Sequence, residues 1–108
     1  MRAKGSQFER DVVAVLRECG YPWAERAYGA GRPDDRGDIT GVPGFAIEAK
    51  ACQRIELAQW MAEAQREAAN VGPHVLPVVV AKRRMHSARD AYVIMTLADW
   101  ARATSGEE

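Results

Sequence analysis

Residues 75–81, VLPVVVA, form a nearly continuous apolar run bounded by Pro73 on one side and Lys82 on the other. An apolar run of this length reads as a strand buried on both faces, central in a sheet. Such a strand needs a layer on each side, so helices must cover it. Residues 56–71 supply one, with Leu57, Met61, Ala64, Ala68 and Val71 at helical spacing and Gly72-Pro73 as the stop. Residues 45–52 read as another strand ahead of that helix. Strand, helix, strand predicts a right-handed crossover between parallel neighbours.

The remaining elements fit around this unit. Residues 4–20 read as an amphipathic helix, with Phe8, Val12, Val15, Leu16 and Cys19 on one stripe and Glu9 at its edge, in line with Val13 and Leu16. Gly20 and Pro22 end it. Residues 23–28 and 38–40 are short strands around a glycine-rich, charged loop, GAGRPDDRG. Residues 91–95 are a last strand. Thr96-Leu97-Ala98-Asp99 resembles a capping box that opens a final helix carrying Trp100. Residues 104–108 are expected to fray. The expectation is one small α/β domain over residues 1–108, a mixed sheet flanked by helices in the order αβββαββα.

Composition narrows the classes. A chain of 108 residues is one domain with a real core. Two distant cysteines, Cys19 and Cys52, read as reduced thiols. No leader-like or membrane-length apolar run is present, so a cytoplasmic protein is expected. The formal charge of zero argues mildly against a nucleic-acid binder. However, 12 of the 15 basic residues are arginine, the better bidentate phosphate ligand.

The chemistry concentrates in DITGVPGFAIEAK, residues 38–50. Positions i and i+2 of a strand share a face, so Glu48 and Lys50 project together while Phe45, Ile47 and Ala49 project oppositely. Charges on an apolar strand need partners. A divalent cation held by Asp38, Glu48 and the Ala49 carbonyl is one answer, because Mg²⁺ takes few protein oxygens and leaves positions for water and phosphate. Lys50 would orient a water or neutralise charge on phosphate. Glu9 is a further acid. The rival readings are a solvated Glu48–Lys50 ion pair and, for Glu9, the capping box Ser6-Gln7-Phe8-Glu9.

The ordered set Glu9, Gly37-Asp38, Glu48-Ala49-Lys50 and a following helix resembles the PD-(D/E)XK nuclease superfamily. Within it the chain is most similar to the small archaeal-type and phage Holliday junction resolvases. The shared features are Lys4-Gly5, Glu9-Arg10, Gly20-Tyr21, Arg26 and the loop Gly29-Ala30-Gly31, and together they span residues 4–82. Two positions depart from the pattern: glycine, not proline, precedes Asp38, and the loop lacks serine. Pro33-Asp34 makes Asp34 a rival to Asp38, which is preferred because it heads a strand-like segment.

The resemblance implies a restriction-endonuclease-like fold and Mg²⁺-dependent hydrolysis of DNA phosphodiesters, with Mn²⁺ as a substitute, leaving a 5′-phosphate. Glu9, Asp38, Glu48 and Lys50 would be catalytic. The substrate would be a four-way junction, cut by a homodimer in the cytoplasm of a cell or of a phage's host. The alternatives are another repair or nicking nuclease and a non-catalytic DNA-binding module on the same fold. Arg26, Arg32, Arg36, Lys82, Arg83 and Arg84 are candidate phosphate contacts. Gln59 and Gln65 lie on the helix after the E-x-K strand, with solvated surface as the simpler reading. Trp60, Met61, Trp100 and the last two strands are interface candidates, with core packing as the simpler reading.

Overall fold

The structure, a computed structural model, describes residues 2–27 and 37–106. The elements are α1 (Arg2–Glu18), β1 (Glu25–Arg26), β2 (Ile39–Thr40), β3 (Phe45–Lys50), α2 (Leu57–Val71), β4 (Leu76–Ala81), a 3-10 turn at Ala88–Asp90, β5 (Tyr92–Ile94) and α3 (Leu97–Ser105). The expected α/β class is borne out. Among the described residues the sheet runs β1-β2-β3-β4-β5, with the other pairs antiparallel and β3 parallel to β4. That pair is the crossover unit expected around α2.

All six residues of β4 are buried. The strand lies between β3 and β5, while β3 holds the middle of the sheet. Pro77 is tolerated because of its register. The neighbouring N–H groups of Leu76 and Lys82 point to β3, bonding the Gly44 and Lys50 carbonyls. Alternation therefore turns position 77 toward β5, which has already ended at Ile94, paired with Val79.

Two apolar clusters flank the sheet. On one side Phe8, Val12 and Val13 of α1 pack with Ile39, Ile47, Val78 and Val80. On the other, Trp60 and Ala64 of α2 pack with Val79 and Ala81. Strand alternation explains the split. Phe45, Ile47 and Ala49 face α1, as expected, which turns Glu48 and Lys50 to the α2 side.

Several boundaries and faces differ from the sequence reading. The first helix starts at Arg2 and ends at Glu18, and Cys19 is exposed while Val13 is buried. The α2 stripe is rotated: Trp60, Ala64, Glu67 and Ala68 are buried, while Leu57 and Val71 are exposed. The large Trp60 ring, 4% exposed, sets that rotation, because burying it outweighs two aliphatic side chains at the helix ends. The final helix runs through Ser105 and closes on Gly106 at φ +77°, so residues 104 and 105 are helical rather than frayed. Thr96 caps it, its hydroxyl accepting the Asp99 N–H at 3.2 Å. Among the described residues, no helix is long and apolar enough to cross a membrane.

Candidate active site at the end of β2 and β3

The site is built where β2 begins and β3 ends. The Asp38 N–H donates to the Ile47 carbonyl, and the Asp38 carbonyl accepts from Ala27 N–H, both at 2.8 Å. Its backbone is thereby held from β3 on one side and from the segment after β1 on the other. One Asp38 carboxylate oxygen accepts the Ala49 N–H at 2.8 Å. A strand residue directs its N–H and C=O to the same edge, so the Ala49 carbonyl also points to the Asp38 side.

Gly37 makes this placement possible. Its φ is +103°, and a Cβ there would lie 2.8 Å from the Ile47 carbonyl oxygen. Proline, confined to φ near −65°, is excluded as well. This accounts for glycine standing before the acid in this chain.

Glu48 is buried, 8% exposed, and its Oε1 has no hydrogen-bond partner among the described residues. Its Oε2 lies 3.3 Å from Lys50 Nζ, and Lys50 Nζ lies 2.6 Å from Glu63 Oε1 on α2. The Glu48–Lys50 contact is therefore no solvated surface pair. Burial pushes the Asp38 carboxyl up to about 7, and the nearby Glu48 charge adds to this, against the hydrogen bond from Ala49. Glu9 raises it further and Lys50 opposes, so all four residues act on one locus. Burial disfavours the Lys50 ammonium, but its bond to Glu63 and the charges of Glu48 and Glu63 outweigh that, leaving the pKa above the usual lysine value. Lys50 is therefore a cation at neutral pH.

Glu9 sits within α1, seven residues past its start, so the capping-box reading of Ser6 and Glu9 fails. Instead Arg26 Nε donates to Glu9 Oε1 at 3.0 Å, and Arg26 Nη2 reaches the Ser6 hydroxyl at 3.3 Å. Arg26 is thus tied to Glu9 and Ser6 on α1. Glu63 was missed by the sequence reading. Its signal was a carboxylate beside Ala64 on the apolar stripe, legible only once Trp60 fixes which side of α2 faces the sheet.

Lys82, Arg83 and Arg84 leave β4 at the same sheet end as Lys50, and Lys82 N–H bonds the Lys50 carbonyl at 2.9 Å. Lys82 and Arg84 are exposed, while the Arg83 guanidinium lies 4.7 Å from the Tyr92 ring centroid. Gln59 and Gln65 are exposed on α2. The residues Arg32, Arg36 and Asp34 lie outside the described residues, as does the Gly29–Gly31 loop. A groove of about 260 Å³ at the opposite end of β4, lined by Gln65, Ala68, Pro73, Leu76 and Asp99 among others, takes in Gln65 but none of Glu9, Asp38, Glu48, Lys50 and Glu63.

The donor set suits a hard divalent cation. Among the described residues, no group of three or more His, Cys, Asp or Glu side chains is arranged to hold a metal ion. The Asp38 and Glu48 carboxylates are near enough for the charge of one to raise the other, the Ala49 carbonyl shares the Asp38 edge of β3, and among the described residues the buried Glu48 Oε1 has no hydrogen-bond partner. That is the sparse oxygen set Mg²⁺ takes when water and phosphate complete its shell. No protein-family model, curated protein or solved structure matches the chain.

Proposed function

We propose that this chain is a metal-dependent DNA endonuclease of the PD-(D/E)XK kind, acting on branched DNA as a homodimer. The observation that carries this reading is Glu48: a buried carboxylate with an oxygen that has no hydrogen-bond partner among the described residues, next to the half-buried Asp38 carboxylate and the Lys50 ammonium. Glu48 shares Lys50 with Glu63, and burial and Glu48 raise the Asp38 carboxyl, so the two neighbouring carboxylates carry a cost that a cation would relieve. Among the described residues, Glu9, Asp38, Glu48 and Glu63, once Asp38 is ionised, outnumber Arg26 and Lys50 by two charges, which one Mg²⁺ or Mn²⁺ would balance.

Asp38, Glu48 and the Ala49 carbonyl would hold the ion, which supplies positive charge to the phosphate and acidifies water. Lys50 neutralises charge that builds on the non-bridging phosphate oxygens as water attacks phosphorus and the bond to the 3′ oxygen breaks. The products are a 3′-hydroxyl and a 5′-phosphate. Glu9, held by Arg26, adds negative potential that favours the cation. Lys82 and Arg84 stand where a DNA backbone would leave the site.

Support for a second copy comes from the last two elements. Among the described residues β5 pairs only with β4 and no strand lies on its outer edge. The helix α3 buries no residue, and Leu97 and Trp100 are 79% and 56% exposed. Tyr92 and Val93 of β5 are exposed as well. A nine-residue helix is marginal unless its apolar side is covered. Pairing β5 with its own copy about a two-fold axis covers that side and closes the edge. Trp100 is therefore not core, and Trp60 is.

The test compares cleavage of four-way junction, flap, nicked, linear and single-stranded DNA with Mg²⁺ or Mn²⁺. Paired, symmetric nicks at the junction, lost in Asp38→Asn and Glu48→Gln, are expected. Efficient cutting of the other substrates alone would point to a repair or nicking nuclease. Junction binding without any cutting would point to a binding module.

A further inference from the structure

We infer that Glu63 is a positioning residue that holds the Lys50 ammonium off Glu48 and so keeps the second oxygen of Glu48 open for a divalent cation. This rests on the metal-site reading given above. Lys50 Nζ has two carboxylate neighbours, and it lies closer to Glu63 Oε1, at 2.6 Å, than to Glu48 Oε2, at 3.3 Å. The side chains are all largely buried, with 18% of Lys50, 10% of Glu48 and 26% of Glu63 exposed. Water therefore cannot easily replace a lost partner.

An ammonium has three donors and settles where carboxylate oxygens surround it. With Glu63 present, one donor goes to α2 and Glu48 keeps Oε1 unpaired. Without Glu63, the nearest uncompensated anion is Glu48, and Lys50 would close on it. The lysine would then compete directly with the cation for the same carboxylate. Glu63 thus acts through Lys50 and touches neither the ion nor the phosphate. The fold supports the assignment: α2 follows β3 directly, and Glu63 lies beside Ala64, which packs on the sheet. That ties the distance from Glu63 to Lys50 to core packing.

The test is a double-mutant cycle read by Mn²⁺ affinity, measured by electron paramagnetic resonance on the protein without DNA. Glu63→Gln is expected to weaken Mn²⁺ binding about tenfold, in the range found for outer-shell partners of metal ligands. In a Lys50→Met background the same substitution is expected to change affinity by at most about threefold, the residue of direct charge attraction. Glu63→Asp, with a shorter reach, should fall between. A tenfold loss that persists in Lys50→Met would assign Glu63 a direct electrostatic role and overturn the inference. An unchanged affinity in Glu63→Gln would overturn it too. Absence of Mn²⁺ binding by the unsubstituted protein would instead overturn the metal-site reading. Thermal melts of each variant separate these outcomes from unfolding, and Glu63→Ala repeats the arm if Gln disturbs the helix.

Discussion

The carboxylate of Asp38 accepts the N–H of Ala49 at 2.8 Å, tying the start of β2 to the strand position between Glu48 and Lys50. The bond fixes one carboxylate against another. It also places Asp38 where burial and Glu48 push its pKa up to about 7.

That shift has a sign. In the unfolded chain Asp38 titrates near 3.8, and in the folded chain near 7. Between these values the folded state binds the extra proton, so stability falls as pH rises from about 4 to 7 and stays reduced above that. Asp38→Asn keeps an oxygen to accept the Ala49 N–H but carries no charge. It should stabilise the metal-free protein at pH 8 by about 1–3 kcal/mol and leave stability at pH 4 nearly unchanged. Urea unfolding at the two pH values checks this. An Asn variant less stable at pH 8 would mean that Asp38 is not under electrostatic stress.

Gly37 should resist substitution. Gly37→Ala puts a Cβ against the Ile47 carbonyl at a φ of +103° and should cost about 1–3 kcal/mol. It should also displace the adjacent Asp38, so Mg²⁺-dependent cleavage should fall more than the melting temperature suggests. Cleavage rates measured well below the melting point separate the two effects.

Arg26 and the Lys82–Arg84 cluster should behave differently although both are basic. Arg26 serves Glu9, so Arg26→Ala should slow cleavage while leaving the salt dependence of DNA binding unchanged. Lys82→Ala or Arg84→Ala should weaken binding to all DNA forms and reduce the salt slope by about one each. Fluorescence anisotropy across a salt series checks both. Equal slopes for all three variants would remove the basic turn from the DNA path.

Trp100→Lys should yield a folded monomer. Sedimentation equilibrium should give a concentration-dependent dimer for the unsubstituted chain and none for the variant, with unchanged far-ultraviolet circular dichroism. A monomer in both would contradict pairing through β5 and α3.

The sequence made the crossover unit legible because its signals are local. Seven nearly unbroken apolar positions specify β4, and a period of two puts Glu48 and Lys50 on one face. What escaped were relations between distant positions. The Arg26–Glu9 pair spans 17 residues and overrides a local capping pattern that the true helix start makes irrelevant. The face of α2 was misread because aliphatic spacing gave Leu57 and Val71 the weight that Trp60 carries, and Glu63 was lost with it. The exposed α3 follows the same logic, since an apolar stripe records that something covers it but not what.

The central claim is that Asp38 and Glu48 together hold one divalent cation. Mn²⁺ titration followed by electron paramagnetic resonance tests it most directly. One ion per chain is expected, with binding tightening as pH rises through 7 and lost in both Asp38→Asn and Glu48→Gln while each variant remains folded. Unchanged Mn²⁺ binding in either folded variant, or no binding by the unsubstituted chain, would contradict it.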